Sequence, residues 1–183
     1  LMGQLMNESK ITARLIDFCL LFVGKIRGGL GLVNVTSSML FGGISGSSVS
    51  DTASIGSVLI PEMEKRGYPK EYAAGLTVAS STMGMIIPPS IPMVLYAVTA
   101  QESVGRLFLG GLFPGLLVGL LQLFITIWVS KKNSYPRETK NFSIQTILKK
   151  IVENSYILLM PFFVVGSVIF GIATATESAA FGV

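Results

Sequence analysis

The sequence predicts an all-α integral membrane protein that combines a re-entrant helical hairpin with discontinuous and full transmembrane helices. Three observations carry that reading. Of the 183 residues 50% are hydrophobic and 13% charged, and the mean hydropathy is +0.66, values of a membrane protein rather than a soluble domain. Residues 28–61 carry one charge, Asp51, yet hold a polar patch, GGISGSSVSDT (42–52), between two apolar arms. Residues 72–101 are free of charge but are interrupted by IIPPSIP (86–92).

Residues 1–27 read as the end of a preceding helix followed by an amphipathic arm. Between 10 and 26 the apolar positions recur at helical spacing, with Lys10, Arg14, Asp17 and Lys25 among the polar ones. Such an arm lies at the membrane interface or against the bundle. Residues 28–61 come next. One crossing takes about 20 apolar residues and a full hairpin nearly twice that, so this stretch is too long for one crossing and too short for two. Its polar centre would expose backbone groups that lipid cannot satisfy unless protein or a water-filled cavity covers them. The economical reading is a re-entrant hairpin ending near Pro61, whose tip at 42–52 lines a binding site.

Residues 62–106 form a broken transmembrane helix with its flanking loops. A charged turn, EMEKRGYPKE (62–71), leads into halves expected near 72–87 and 92–101. Three prolines within five positions remove amide donors and clash with the preceding turn, so the interruption is a real one. Residues 107–152 hold an uninterrupted apolar run to 129, a full transmembrane helix, and then a loop. That loop carries Lys131, Lys132, Arg137, Lys140, Lys149 and Lys150 against Glu138. Residues 153–183 cross again and begin a second hairpin. The chain opens on Leu1 and closes on Val183 within an apolar run, as a fragment of a longer polypeptide would.

Basic loops face the cytoplasm. Placing 130–150 inside and counting crossings backward puts Glu102 and Arg106 outside and returns Lys65, Arg66 and Lys70 to the inside. Lys25 and Arg27 are basic too, so both ends of 28–61 lie on the inner side, as a re-entrant hairpin requires.

Several function classes drop out. A single Cys19 and no histidine exclude an intrachain disulfide, a Cys/His zinc site and the commonest general base. No paired catalytic carboxylates stand out, so the chain does not read as an enzyme, and no cofactor is expected. The net charge of +4 sits in loops beside apolar runs and does not mark a nucleic-acid partner. GGISGSSVSD lacks the lysine of a phosphate-binding loop. Cys19 reads as a small apolar filler.

Two short stretches mirror one another: SVSDTAS (48–54) and TATESAA (174–180) each run hydroxyl, x, hydroxyl, acid, hydroxyl, alanine, small. Ser48 with Asp51 and Thr174 with Glu177 have the spacing of a capping box, which satisfies helix amides without any ligand. An acid at membrane depth is a functional candidate by default, and unwound carbonyls with hydroxyls suit a hard cation such as Na⁺. At the proline break, Pro88, Pro89 and Pro92 leave carbonyls of the preceding turn free. Ser80, Ser81 and Thr82, about two turns earlier, read first as helix-packing hydroxyls and second as further ligands.

GGISGS-x-x-SDTASIG together with IIPPSIPM closely resembles the large membrane subunit of tripartite ATP-independent periplasmic (TRAP) transporters, the DctM-like family. The resemblance spans nearly the whole chain. TATESAA resembles the family's second hairpin, with Ala175 where proline usually follows the first threonine. The resemblance implies a fragment of an elevator-type transporter. It further implies Na⁺-coupled import of small organic anions such as C4-dicarboxylates, sialic acids or other sugar acids. Implied partners are a small membrane (DctQ-like) subunit, a periplasmic (DctP-like) substrate-binding protein and the lipid of a bacterial inner membrane. By that resemblance Ser45, Gly46, Ser47, Ser50 and Asp51 line the first tip, and Pro88, Pro89 and Ser90 face it across a Na⁺ site. Thr174 and Thr176 belong to the second half. The alternatives are a Na⁺/dicarboxylate symporter working without a binding protein, and a purely structural membrane subunit.

Overall fold

The computed structural model describes residues 8, 11–24, 26–136, 159–174 and 177. Among them the protein is helical throughout, with no strand. Helix α1 is Ile11–Val23, α2 Gly29–Ser45, α3 Ser48–Lys65 and α4 Lys70–Ser81. A 3₁₀ turn, Thr82–Met85, follows, then α5 Ile91–Ala100 and α6 Val104–Lys132. A last apolar helix, α7, is Leu159–Ile169.

Helix α2 is the centre of the packing. Leu30, Leu32, Val33, Val35 and Phe41 are all buried, and α1, α3, α4 and α6 each lie against α2. A helix buried on nearly every side belongs at the middle of a bundle. One core cluster joins Leu15, Ile16 and Cys19 of α1 to Leu30, Val33 and Phe41 of α2 and to Ile55, Leu59 and Met63 of α3. Cys19 is thus a small core filler, as the sequence predicts. The arm α1 packs its Leu15–Cys19 face on the bundle, with Arg14 and Asp17 outward.

The structure moves three expected boundaries. Helix α3 runs through Pro61 to Lys65, four residues past the expected end. Ile55, Leu59 and Met63 keep i, i+4 spacing on the buried face, and their packing outweighs the hydrogen bond that proline removes. The first half of the broken helix ends at Ser81 and tightens into the 3₁₀ turn, six residues short of 87. Residues ahead of a proline are pushed out of the α region, and Gly84 lends the segment no side chain to pack. Helix α6 starts earlier than the apolar run, because the Ser103 hydroxyl accepts the amide of Arg106 and caps it. Gln101, left-handed at φ 55°, closes α5 just before it.

Helix α6 is long and apolar enough to cross a membrane. Its outer face is bare: Phe113, Leu120, Phe124 and Trp128 are exposed. Its inner face is a stripe of glycines. Gly111 seats on Met93 and the Ile86 carbonyl, Gly115 on Ile87 and Gly119 on Met39. Small residues at that spacing let two membrane helices approach closely.

Candidate functional site

The tip between α2 and α3 is two residues long. Gly46 takes φ 62°, ψ 14° and its amide bonds back to the Gly42 carbonyl at 3.0 Å, a left-handed cap that glycine adopts without strain. Ser47 is extended and begins α3. Ser45 looks across the turn: its hydroxyl bonds Asp51 Oδ1 and accepts the Ser47 amide at 3.1 Å.

This corrects one expectation. Ser48 and Asp51 form no capping box; the N-cap position is Ser47, without a side-chain cap, and Asp51 turns back to Ser45 instead. The mirrored pair does cap. Glu177 Oε2 accepts the Thr174 amide at 2.8 Å and hydroxyl at 2.7 Å, while the Glu177 amide reaches Thr174 Oγ1 at 3.3 Å. Two look-alike heptapeptides therefore use their acids differently.

Asp51 is fully buried, and its Oδ2 has no hydrogen-bond partner among the described residues. A Cβ at Gly84 would collide with that oxygen, and one at Gly42 would stand 2.7 Å from the Gly84 Cα. Two glycines thus make the space in which the carboxylate sits against the 3₁₀ turn. Ser50 Oγ is likewise buried without a partner there.

The proline break closes on the same tip. The Ile91 amide donates to the Gly46 carbonyl at 3.2 Å. A Cβ at Gly46 would lie 2.8 Å from the Pro89 carbonyl oxygen, and one at Gly43 3.6 Å from that of Pro88. The Pro88–Pro89 peptide is cis. Ser90, 1% exposed, spends its hydroxyl on the Met85 carbonyl at 2.6 Å, bracing the unwound stretch.

Ser45, Gly46, Ser47 and Asp51 are thereby brought together with Pro88, Pro89 and Ser90. The carboxylate and hydroxyl of the tip face the 3₁₀ turn at Gly84, and the Pro88 and Pro89 carbonyls face the tip glycines. Thr174 is exposed and bonded to Glu177, and the described contacts leave it outside this cluster. Thr176 lies outside the described residues. Ser80 and Ser81 follow the packing reading, each bonding another helix. Sequence reasoning did not single out Gly42 and Gly84, whose role is the room they leave. It also missed Asn34, although a lone amide in an apolar arm was a signal.

Comparison with known proteins identifies the family. The family described as "Tripartite ATP-independent periplasmic transporter, DctM component" matches residues 1–183. An isethionate TRAP transporter permease protein of Oleidesulfovibrio alaskensis is 38% identical over 97% of this chain and 28% of its own. In Vibrio cholerae, a C4-dicarboxylate TRAP transporter large permease protein is 40% identical over 98% of this chain and 40% of its own. A sialic acid large permease protein there is 39% identical over 98% and 42%. The chain spans well under half the length of each of these relatives. The match over all 183 residues settles the family: this chain belongs to the DctM component, the large permease, of the tripartite ATP-independent periplasmic transporters.

Proposed function

We propose that this chain supplies part of the moving domain of a Na⁺-coupled importer of small organic anions. The observation that carries the reading is the buried Asp51, with one oxygen unpartnered, at the junction of hairpin tip and proline break. An unpaired buried carboxylate is costly, and a travelling cation is the natural complement. Na⁺ is a hard ion that takes carbonyl, hydroxyl and carboxylate oxygens, and interrupted membrane helices offer these at their ends. Asp51 and Ser45 from the tip, with the Pro88 and Pro89 carbonyls from the break, would hold it. Gly46, Ser47, Ser50 and Ser90 shape the same junction. Thr174 and Thr176 would contribute through a second hairpin.

The substrate class follows from the relatives, whose names specify isethionate, a C4-dicarboxylate or a sialic acid. All three are small anions, which a co-transported cation would balance. In this reading a small membrane subunit holds the moving domain and a periplasmic binding protein delivers the anion to a bacterial inner membrane.

The test is uptake of radiolabelled succinate, N-acetylneuraminate and isethionate by the full-length polypeptide and its partner subunits in liposomes. Uptake is expected only with an inward Na⁺ gradient and with binding protein. Uptake without binding protein would replace the tripartite reading with a simple symporter. Equal uptake with choline in place of Na⁺ would remove the Na⁺ coupling.

A further inference from the structure

Three consecutive residues at the end of α4 each reach a different helix. Ser81 Oγ lies 2.6 Å from Thr52 Oγ1 on α3. Ser80 Oγ lies 2.8 Å from Ser38 Oγ and 3.1 Å from Asn34 Oδ1, both on α2. The Ala79 carbonyl accepts from Gln122 Nε2 of α6 at 3.0 Å. Asn34 completes the set by donating to Thr77 Oγ1 at 2.7 Å. Asn34, Ser38, Thr77 and Ser80 are all inaccessible, and Ser81 is 2% exposed.

The location is what matters. The next residue, Thr82, opens the 3₁₀ turn that leads through Gly84 to the proline break. Thr52 is the immediate neighbour of Asp51, and Gly84 is the residue against which Asp51 rests. The Ser81–Thr52 bond therefore ties the start of α3, beside Asp51, to the end of α4, which leads into the unwound stretch. Ser80, Ser81 and Gln122 bond to neighbouring helices rather than to the cluster at the tip. Where an α-helix gives way, its last carbonyls lose their helical donors. Here Gln122 and the Thr82 hydroxyl, 2.7 Å away, take the Ala79 carbonyl instead.

We propose that Ser80, Ser81 and Gln122 are positioning residues of the coupling-ion site, fixing how far the unwound stretch 86–90 stands from Asp51. The proposal rests on the Na⁺ reading given above. Hydroxyls that only packed helices together would shift overall stability and nothing else. Hydroxyls that set a gap between ion ligands shift the ion's affinity as well.

The experiment follows the Tm of the full-length polypeptide in detergent while NaCl replaces choline chloride at constant ionic strength. Wild type is expected to rise saturably with Na⁺. Ser81→Ala and Gln122→Ala should each need about three- to ten-fold more Na⁺ for half the rise, the scale of one lost hydrogen bond. Ser81→Thr should restore the wild-type midpoint. Thr99→Ala, whose hydroxyl bonds only carbonyls of its own helix, should leave the midpoint unmoved. If Ser81→Ala does not fold, Ser81→Cys takes its place. Wild-type Na⁺ midpoints in both the Ser81 and Gln122 variants overturn the proposal. A wild type indifferent to Na⁺ sinks the Na⁺ reading instead. Hydrogen exchange of amides 46–50 then decides: faster exchange in both variants than in Thr99→Ala upholds the positioning, and equal exchange overturns it.

Discussion

Asp51 sits in a space that glycine makes. A methyl group at Gly84 meets the buried carboxylate, which Ser45 holds through its other oxygen, and one at Gly42 meets the Gly84 backbone at 2.7 Å. Gly84→Ala should therefore cost about 1–3 kcal/mol, the usual range for overpacking, read as a Tm lowered by several degrees. Asp51→Asn is different in kind. The amide keeps the size of the carboxyl and still offers an oxygen to Ser45, so the Tm should stay close to wild type. Na⁺-stimulated uptake should fall at least about ten-fold, because a charge-assisted ligand is lost. A Tm collapse in Asp51→Asn with residual uptake unchanged would make the residue structural. At this scale much of the site was legible, because an acid among glycines and hydroxyls is costly in an apolar stretch unless it binds something. What was not legible is who touches whom. The spacing of Ser48 and Asp51 and that of Thr174 and Glu177 are the same, yet one acid folds back to Ser45 and the other caps. The folded-back carboxylate also needs the room at Gly84, far along the chain, which no local pattern announces.

Helices show the same division. That α2, α3, α4, α5 and α6 exist, and that a break separates α4 from α5, follows from apolar length and proline. Where each one stops is set by packing. Pro61 is carried inside α3 because Leu59 and Met63 stay on the buried face, whereas at Pro88 and Pro89 the buried stripe of Met83 and Ile87 stops, since Ile91, next at that spacing, is exposed. The glycines of α6 carry a prediction of their own. A Cβ at Gly115 would meet the Cγ1 of Ile87 at 2.7 Å and its backbone at 3.4 Å, and one at Gly111 the Ile86 carbonyl at 2.8 Å. At Gly119 it would meet only the Met39 side chain, which can swing away, and at Gly110 nothing within 4 Å. Alanine should thus be costly at Gly111 and Gly115 and mild at Gly119. At Gly110 it should be neutral or stabilising by up to about 1 kcal/mol, through helix propensity alone. A thermal-unfolding series ranks the four. A Gly115→Ala variant as stable as Gly110→Ala would mean that α6 does not lie on the break as described.

For the molecule as a whole, depth decides between a hairpin that spans and one that turns back. Helices α2 and α3 rise about 25 Å each at 1.5 Å per residue, close to the thickness of the hydrocarbon core, so length alone is undecided. Contact bears on it as well. The tip meets residues 84–91, and beyond them α5 continues for nine residues, to Ala100, about 14 Å further. If α4 and α5 together make one crossing, the tip ends near its middle. Both arms of the hairpin then return to the side they left. The flanking charges agree, since Arg27 precedes α2 while Lys65 and Arg66 close α3. The prediction is one of sidedness. In a Cys19→Ser background of the full-length polypeptide, single cysteines at Arg27 and Arg66 should react with a membrane-impermeant maleimide only from the cytoplasmic face. A cysteine at Glu102, between α5 and α6, should react only from the opposite face. Labelling of the Arg27 and Arg66 positions from opposite faces would make residues 29–65 an odd number of crossings. A cysteine at Ser47 that reacts from the face opposite Arg27 would instead make the hairpin two full crossings, with the buried oxygens near the far membrane surface and water rather than Na⁺ the natural partner of Asp51.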